Sequence, residues 1–209
     1  MTLNSKPLDK DRALNDIASE LKKLLLYESM NFVPGEGDPN SDILFVGEAP
    51  GQKENELKRP FVGAAGKFLD EMILSIGMKR ENVFITNIVK QRPPENRDPT
   101  PEEIEIHWPL LMRQIEIINP KLIVILGRHS MSKLLPGVGT ISQIHGQPFR
   151  RKDGRVYLPL YHPAAALYNG GLRQTLLTDF AKIPAILKKI SDTKLNSPEP
   201  KTSDQPSLL

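Results

Sequence analysis

Two kinds of apolar pattern alternate along this chain: short unbroken runs, and longer stretches that carry one apolar stripe. Ile43-Leu44-Phe45-Val46 is an unbroken run, and β-branched and aromatic residues in such a run suit a strand buried on both faces. Val83 to Val89 and Leu122 to Leu126 read the same way. A further strand is expected at Val156 to Leu160, as the second arm of a hairpin that starts at Gln147 and turns at Asp153-Gly154. Helical spacing fills the intervals. Leu14, Ile17, Ala18, Leu21, Leu24 and Leu25 predict a helix from Asp11, and Phe68, Leu69, Met72 and Ile73 predict one over 64–76 that stops at Gly77. Thr100 as N-cap, Pro101 in the first turn and Glu103 three residues after the cap start another helix. Pro109 should kink or restart it, and Asn119-Pro120 ends it. A short helix follows near Arg128 to Leu135, and Leu172 to Ile190 carry the stripe of a last helix, bent at Pro184.

Strands alternating with helices predict an α/β fold of three layers, α/β/α, around a central, largely parallel four-stranded sheet. One domain is expected over 11–190, between a flexible N-terminus (1–10) and a disordered polar tail (191–209). This topology gives the polar residues a place. Glu48, Asn87 and His162 each follow or close a strand, so a parallel sheet can gather them outside the carboxyl ends of its strands. Gly47, Pro50 and Gly51 bracket Glu48 and Ala49 in a tight loop whose backbone can approach a ligand closely. Phe61 sits in a second Pro/Gly-rich loop. Each residue also has a bland reading: a solvated carboxylate at Glu48, backbone satisfaction by Asn87, a helix cap at His162, a core plug at Phe61. Together they fit one task, in which a ring stacks a planar base, an amide reads its edge, an imidazole steadies a developing anion and a carboxylate orients water.

Composition narrows the classes. With 39% hydrophobic and 25% charged residues the chain is ordinary for a globular protein, and no apolar run approaches the about 20 residues of a spanning helix. The N-terminus has no apolar signal core, so a cytoplasmic protein without a membrane partner is expected. A net charge of +3 agrees with a polyanionic partner without demanding one. Cysteine is absent, which excludes disulfides, thiolate zinc sites, cysteine nucleophiles and cysteine-ligated iron–sulfur clusters. No phosphate-binding P-loop or G-x-G-x-x-G is present, against a nucleotide-binding domain of the same architecture.

The runs GEAPG (Gly47 to Gly51), PFVGAAG (Pro60 to Gly66), TNIVK (Thr86 to Lys90) with RPPENRDPTPEE (Arg92 to Glu103), and YHPAA (Tyr161 to Ala165) resemble, in order and spacing, the family 4 uracil-DNA glycosylases. The resemblance covers Leu21 to Ile190. It implies a uracil-DNA glycosylase-like fold and a monofunctional enzyme that flips uracil out of single- or double-stranded DNA. Such an enzyme hydrolyses the N-glycosidic bond and releases free uracil, leaving an abasic site for base excision repair. It implies that Phe61 stacks on uracil, Asn87 recognises its edge with Gly47 and Ala49 alongside, His162 steadies the departing base, and Glu48 lies beside the attacking water; no metal is needed. Arg92, Arg97, Arg150 and Arg151, with Lys152 and Arg155, are candidates for phosphate contact. Leu167, just past the histidine loop, is a candidate wedge. His129 and His145 are expected to be structural, and His107 to serve packing.

The departure from the family is the four-cysteine iron–sulfur cluster, none of whose ligands is present. Gln91 and His107 stand at two of the expected cysteine positions, and Glu20 and Lys23 near the other pair. A polar or packing contact is expected to hold the N-terminal helix and the Gln91 loop in the cluster's stead. TNIVK runs into RPPENRDPTPEE without the inserted histidine-bearing loop of the covalently trapping relatives, so no covalent trapping is expected. A monomer is expected. The alternative is a non-catalytic binder of uracil-containing or damaged DNA, against which the retention of both Glu48 and His162 speaks.

Overall fold

A computed structural model describes residues 9–21, 26–194 and 207–208. The expectations for Leu24, Leu25, Lys23, residues 1–8 and residues 195–206 fall outside the described residues. Four parallel strands form the centre: β2 (Ile43–Gly47), β3 (Phe84–Asn87), β4 (Leu122–Leu126) and β6 (Val156–Leu160). Short antiparallel strands extend both sides, β1 (Glu36–Gly37) on β3, and β5 (Phe149–Arg150) with β7 (Ser207–Leu208) beyond β6. The order is β1-β3-β2-β4-β6-β5-β7. The parallel four-stranded sheet is thus the core of a larger mixed sheet, because β1 and the hairpin arm β5 pair with its outer strands.

Every residue of the four central strands is buried, and successive side chains enter opposite layers. Ile43 and Phe45 pack with α3 (Ala64–Ser75), α8 (Gly170–Phe180) and α9 (Ile183–Lys194), through Phe68, Met72, Phe180 and Ile190. Leu44 and Val46 face α4 (Pro101–Ile118) and α5 (Arg128–Leu134), through Leu111, Ile115 and Met131. Outside α4 lies α1 (Lys10–Leu21), whose Ile17 is buried with Leu110.

Three local expectations are corrected. Helix α4 starts at the Thr100/Glu103 capping box and runs through Pro109 without a restart, ending at Asn119 in the left-handed conformation. The last helix is two helices: α9 begins at Ile183 with Pro184 in its first turn, where the missing N–H costs nothing. Helix α9 also continues past the expected boundary at Ile190 to Lys194, and Ser207–Leu208 pair with β5. Three short helices were not legible in the apolar pattern: α2 (Gln52–Leu57), α6 (Ile141–Ile144) and α7 (Ala165–Tyr168). They serve loops rather than the core.

Candidate active site

The carboxyl ends of β2, β3 and β6 deliver Glu48, Asn87 and His162 to one edge of the sheet. With Ala49, Phe61, Pro93, Asn96, Arg97 and Tyr168 they line a cavity of about 500 Å³. Asn87 closes β3 opposite Gly47 on β2. It is 1% exposed, and its Oδ1 has no hydrogen-bond partner. A buried acceptor without a donor costs about 1–3 kcal/mol, so this oxygen is set for a donor that the protein does not supply. Beneath it, fully buried Lys90 donates to the Asn87 carbonyl (2.7 Å), Thr86 Oγ1 (2.5 Å) and Gln114 Oε1 (2.6 Å). Burial pushes this amine well below its ordinary range. Lys90 therefore braces the strand end and offers no exposed nucleophile.

Gly47 has no side chain for a reason visible in the packing. A Cβ there would lie 2.4 Å from Asn87 Oδ1 and 2.5 Å from Phe61 Cζ.

Phe61 is held in a left-handed conformation, φ 49°, a strained state for a bulky residue that persists only where its surroundings enforce it. Two side chains do so. Arg80 donates to the carbonyls of Pro60 (2.5 Å) and Phe61 (3.0 Å), while Glu54 Oε1 accepts from the N–H groups of Val62 and Gly63 (2.8 Å each). Glu36 and Asp70 in turn fix Arg80. Gly66 lets α3 press against this loop, since a Cβ would meet the Phe61 carbonyl at 2.0 Å. The Phe61 ring stacks with His162 at 5.6 Å and 28°. Glu54, Arg80 and Gly66 are positioning residues that the sequence reading missed; only the fold brings them to Phe61.

The His162 ring receives a hydrogen bond at Nδ1 from the Ala164 N–H (3.1 Å), which assigns the proton of the neutral ring to Nε2. Burial lowers its pKa to about 4, against a smaller upward pull from Glu54. It is neutral at physiological pH.

Burial moves the Glu48 carboxyl the other way, above its usual range; His129 opposes the rise, Asp98 adds to it and Arg128 opposes it. Glu48 and His162 also border a second cavity of about 250 Å³, lined by Asp98, Arg128, His129 and Tyr161. His129 is among them: its Nε2 lies 3.9 Å from Glu48 Oε2 and 3.1 Å from Asp98 Oδ2. These three residues have the spacing for a cation. Arg128, however, donates to His129 Nε2 (3.0 Å) and to Asp98 Oδ2 (2.8 Å), so positive charge already fills that place.

The basic candidates divide. Arg97 borders the main cavity but is bound bidentately to Glu103 (2.6 and 2.9 Å) and to Tyr27 (2.9 Å), which leaves it little freedom to meet phosphate. Arg92 lies in the same loop, on Asn96 (2.7 Å). Arg150 and Arg151 are at the other end of the sheet, since Arg150 pairs with Val156 at the amino end of β6 while His162 follows its carboxyl end. About 13 Å of strand intervenes. Arg151 is occupied by the Leu134 carbonyl (2.5 Å) and the Tyr157 ring. The hairpin arginines thus lie away from the cavity, at the end of β6 opposite His162. Leu167 is 44% exposed on α7, beside Tyr168 at the cavity.

Gln91 and His107, at the expected cysteine positions, are fully buried. Gln91 Oε1 accepts from Leu26 N–H (2.7 Å), and Nε2 donates to the carbonyls of Tyr27 (3.1 Å) and Met30 (3.0 Å). This amide clasps the 26–30 segment. Beside it, the Tyr27 hydroxyl bonds Glu103, whose carboxyl is held down to about 2 chiefly by Arg97. His107 Nδ1 bonds the Glu103 carbonyl (3.0 Å), and burial lowers this ring's pKa to about 4. The position near Glu20 is an exposed pair with Arg113. With no thiol in the chain and the Gln91 amide spent on three backbone groups, these residues do not fit an iron–sulfur cluster. Gln91→Leu would leave those backbone groups unpaired. It is expected to lower stability by about 2–4 kcal/mol, read as a lower urea midpoint at unchanged m.

The family model of the uracil DNA glycosylase superfamily matches residues 34–185. A type-4 uracil-DNA glycosylase of Sulfurisphaera tokodaii is 48% identical over 185 residues, 84% of each chain. One from Archaeoglobus fulgidus is 44% identical over 192 residues, 87% of this chain and 96% of its own. A type-5 uracil-DNA glycosylase of Pyrobaculum aerophilum is more distant, at 31% over 73% of this chain and 76% of its own. The cavity at the carboxyl edge of this sheet, with Asn87, Phe61, His162 and Glu48 around it, is thus carried by a chain that belongs to the uracil DNA glycosylase superfamily, in its type-4 family.

Proposed function

We propose that this chain is a monofunctional uracil-DNA glycosylase that excises uracil from single- or double-stranded DNA and works without an iron–sulfur cluster. The observation that carries the reading is the unpartnered Oδ1 of Asn87 beside the Phe61 ring. Uracil supplies what this oxygen lacks: its N3–H donates to Oδ1, while its O4 accepts from the Asn87 amide nitrogen. Phe61 stacks on the flipped ring. Gly47 and Ala49 bring backbone to the base.

As the C1′–N1 bond breaks, its electron pair goes to uracil. The Nε2–H of neutral His162 donates to the uracil oxygen on which that charge grows. Water, oriented by ionised Glu48, bonds to C1′ and gives its proton to that carboxylate; the uracil anion is protonated by solvent. Buried Lys90 offers no amine for strand cleavage. Leu167 fills the gap left in the base stack, and Arg92, which is held by Asn96 and not by a carboxylate as Arg97 is, meets phosphate. The enzyme acts as a monomer in the cytoplasm.

The test is to follow free uracil and abasic sites from a uracil-containing oligonucleotide. Equal amounts of both, with strand breaks appearing only after alkali, are expected; breaks formed by the protein alone would contradict the monofunctional reading. The pH profile gives a second check. The active form carries ionised Glu48, so the rate falls as pH drops through its raised pKa, whereas His162 stays neutral down to about pH 4. Asp98→Asn removes a charge that raises the Glu48 pKa and is expected to move the acid limb to lower pH. An unmoved limb would assign it to another group.

A further inference from the structure

We propose that Tyr168 is a stacking platform for the base adjacent to the extruded uracil on the same strand, a subsite that rests on the glycosylase reading. Tyr168 ends α7, the short helix that follows His162. Its side chain is 92% exposed, whereas the chain's other tyrosines among the described residues are at least half-buried. It makes no hydrogen bond, ion pair or ring contact with the described residues. Nothing in the fold uses this ring. Yet it lines the same cavity as Phe61, Asn87 and His162, and that cavity also reaches Pro93, Asn96 and Arg97, so it is wider than the slot for one base.

A nucleotide drawn into this cavity loses its stacking and leaves its neighbour with one bare face. An aromatic ring at the mouth restores that contact. Every base has a π-face, so the subsite takes any nucleobase. In a duplex the neighbour keeps its own pair and much of its stack; in a single strand it has neither. The platform therefore serves single strands more. Leu167 and Tyr168 divide the work, the leucine entering the gap and the tyrosine holding the flanking base.

The experiment uses single-stranded oligonucleotides with 2′-fluoro-2′-deoxyuridine, which resists excision, and 2-aminopurine placed 5′ of it in one and 3′ in the other. Binding of the wild-type protein is expected to quench 2-aminopurine fluorescence on one side. Tyr168→Ala should abolish that quench and raise KM for excision from the matching cleavable single strand by about 5- to 100-fold, with a smaller rise on duplex. Tyr168→Trp should keep both the quench and the low KM. Because the side chain is exposed, neither change threatens the fold. Excision by the wild type with no quench on either side, or with a quench and KM untouched in Tyr168→Ala, overturns the platform and leaves the glycosylase reading standing. Quenching that depends on Tyr168 without any excision overturns the glycosylase reading, and with it the subsite of an excising enzyme, and leaves Tyr168 as a stacking contact of a DNA-binding protein.

Discussion

His162→Ala is expected to lower the single-turnover rate of uracil release by about 10²- to 10³-fold, the usual cost of removing one preorganised donor to a developing anion. The effect should fall on the chemical step, with oligonucleotide affinity changed far less, because the donor matters most once charge has moved onto uracil. The environment of this ring explains why it is suited to that role. The Ala164 N–H occupies Nδ1 and places the proton on Nε2, while burial keeps the ring neutral down to about pH 4. A neutral donor suffices because it need not transfer its proton. His162→Gln, which offers an N–H of similar reach, should recover part of the rate. A loss confined to binding, or full activity in His162→Ala, would remove His162 from the chemistry.

Gly47→Ala should cost about 10²-fold in the same assay, the scale of an ångström-sized misplacement of recognition groups, although the residue makes no contact through a side chain of its own. One added methyl group would have to share space with Asn87 Oδ1 and the Phe61 ring, at 2.4 and 2.5 Å. Neither neighbour can move freely. Asn87 is braced through its carbonyl by Lys90, and Phe61 is clamped by Arg80 and Glu54. Circular dichroism and thermal unfolding should show a folded protein, which separates a displaced pocket from a lost one. An alanine variant with wild-type excision would mean that Asn87 and Phe61 are not the recognition pair.

What the sequence disclosed follows from what each feature depends on. Glu48, Asn87 and His162 were legible because each lies one or two residues from the end of an apolar run, and parallel strands put such positions on one edge. The Phe61 loop could be seen, but not its clamp: Arg80 and Glu54 reach it only after α2 and α3 have folded. The surroundings of His129 were hidden for the same reason, since its neighbours Glu48 and Asp98 come from different loops. The position of the hairpin arginines relative to the cavity follows from the strand direction. A strand that runs straight into His162 must have its hairpin turn at the opposite end, so Arg150 and Arg151 could not share the cavity. Gln91 was found by motif register, but its partners are backbone groups of the 26–30 segment, and no side-chain pattern announces those. The outer strand β1 was also hidden, being too short to carry a pattern.

The most direct measurement is single-turnover excision from single-stranded and U·G duplex oligonucleotides by chelator-treated protein, with Asn87→Ala alongside. Free uracil and abasic sites are expected in equal amounts, unaffected by the chelator and lost in Asn87→Ala. Specific binding of uracil-containing DNA with no released base, under conditions where a type-4 relative is active, would contradict the glycosylase reading and leave a damage-binding protein in its place.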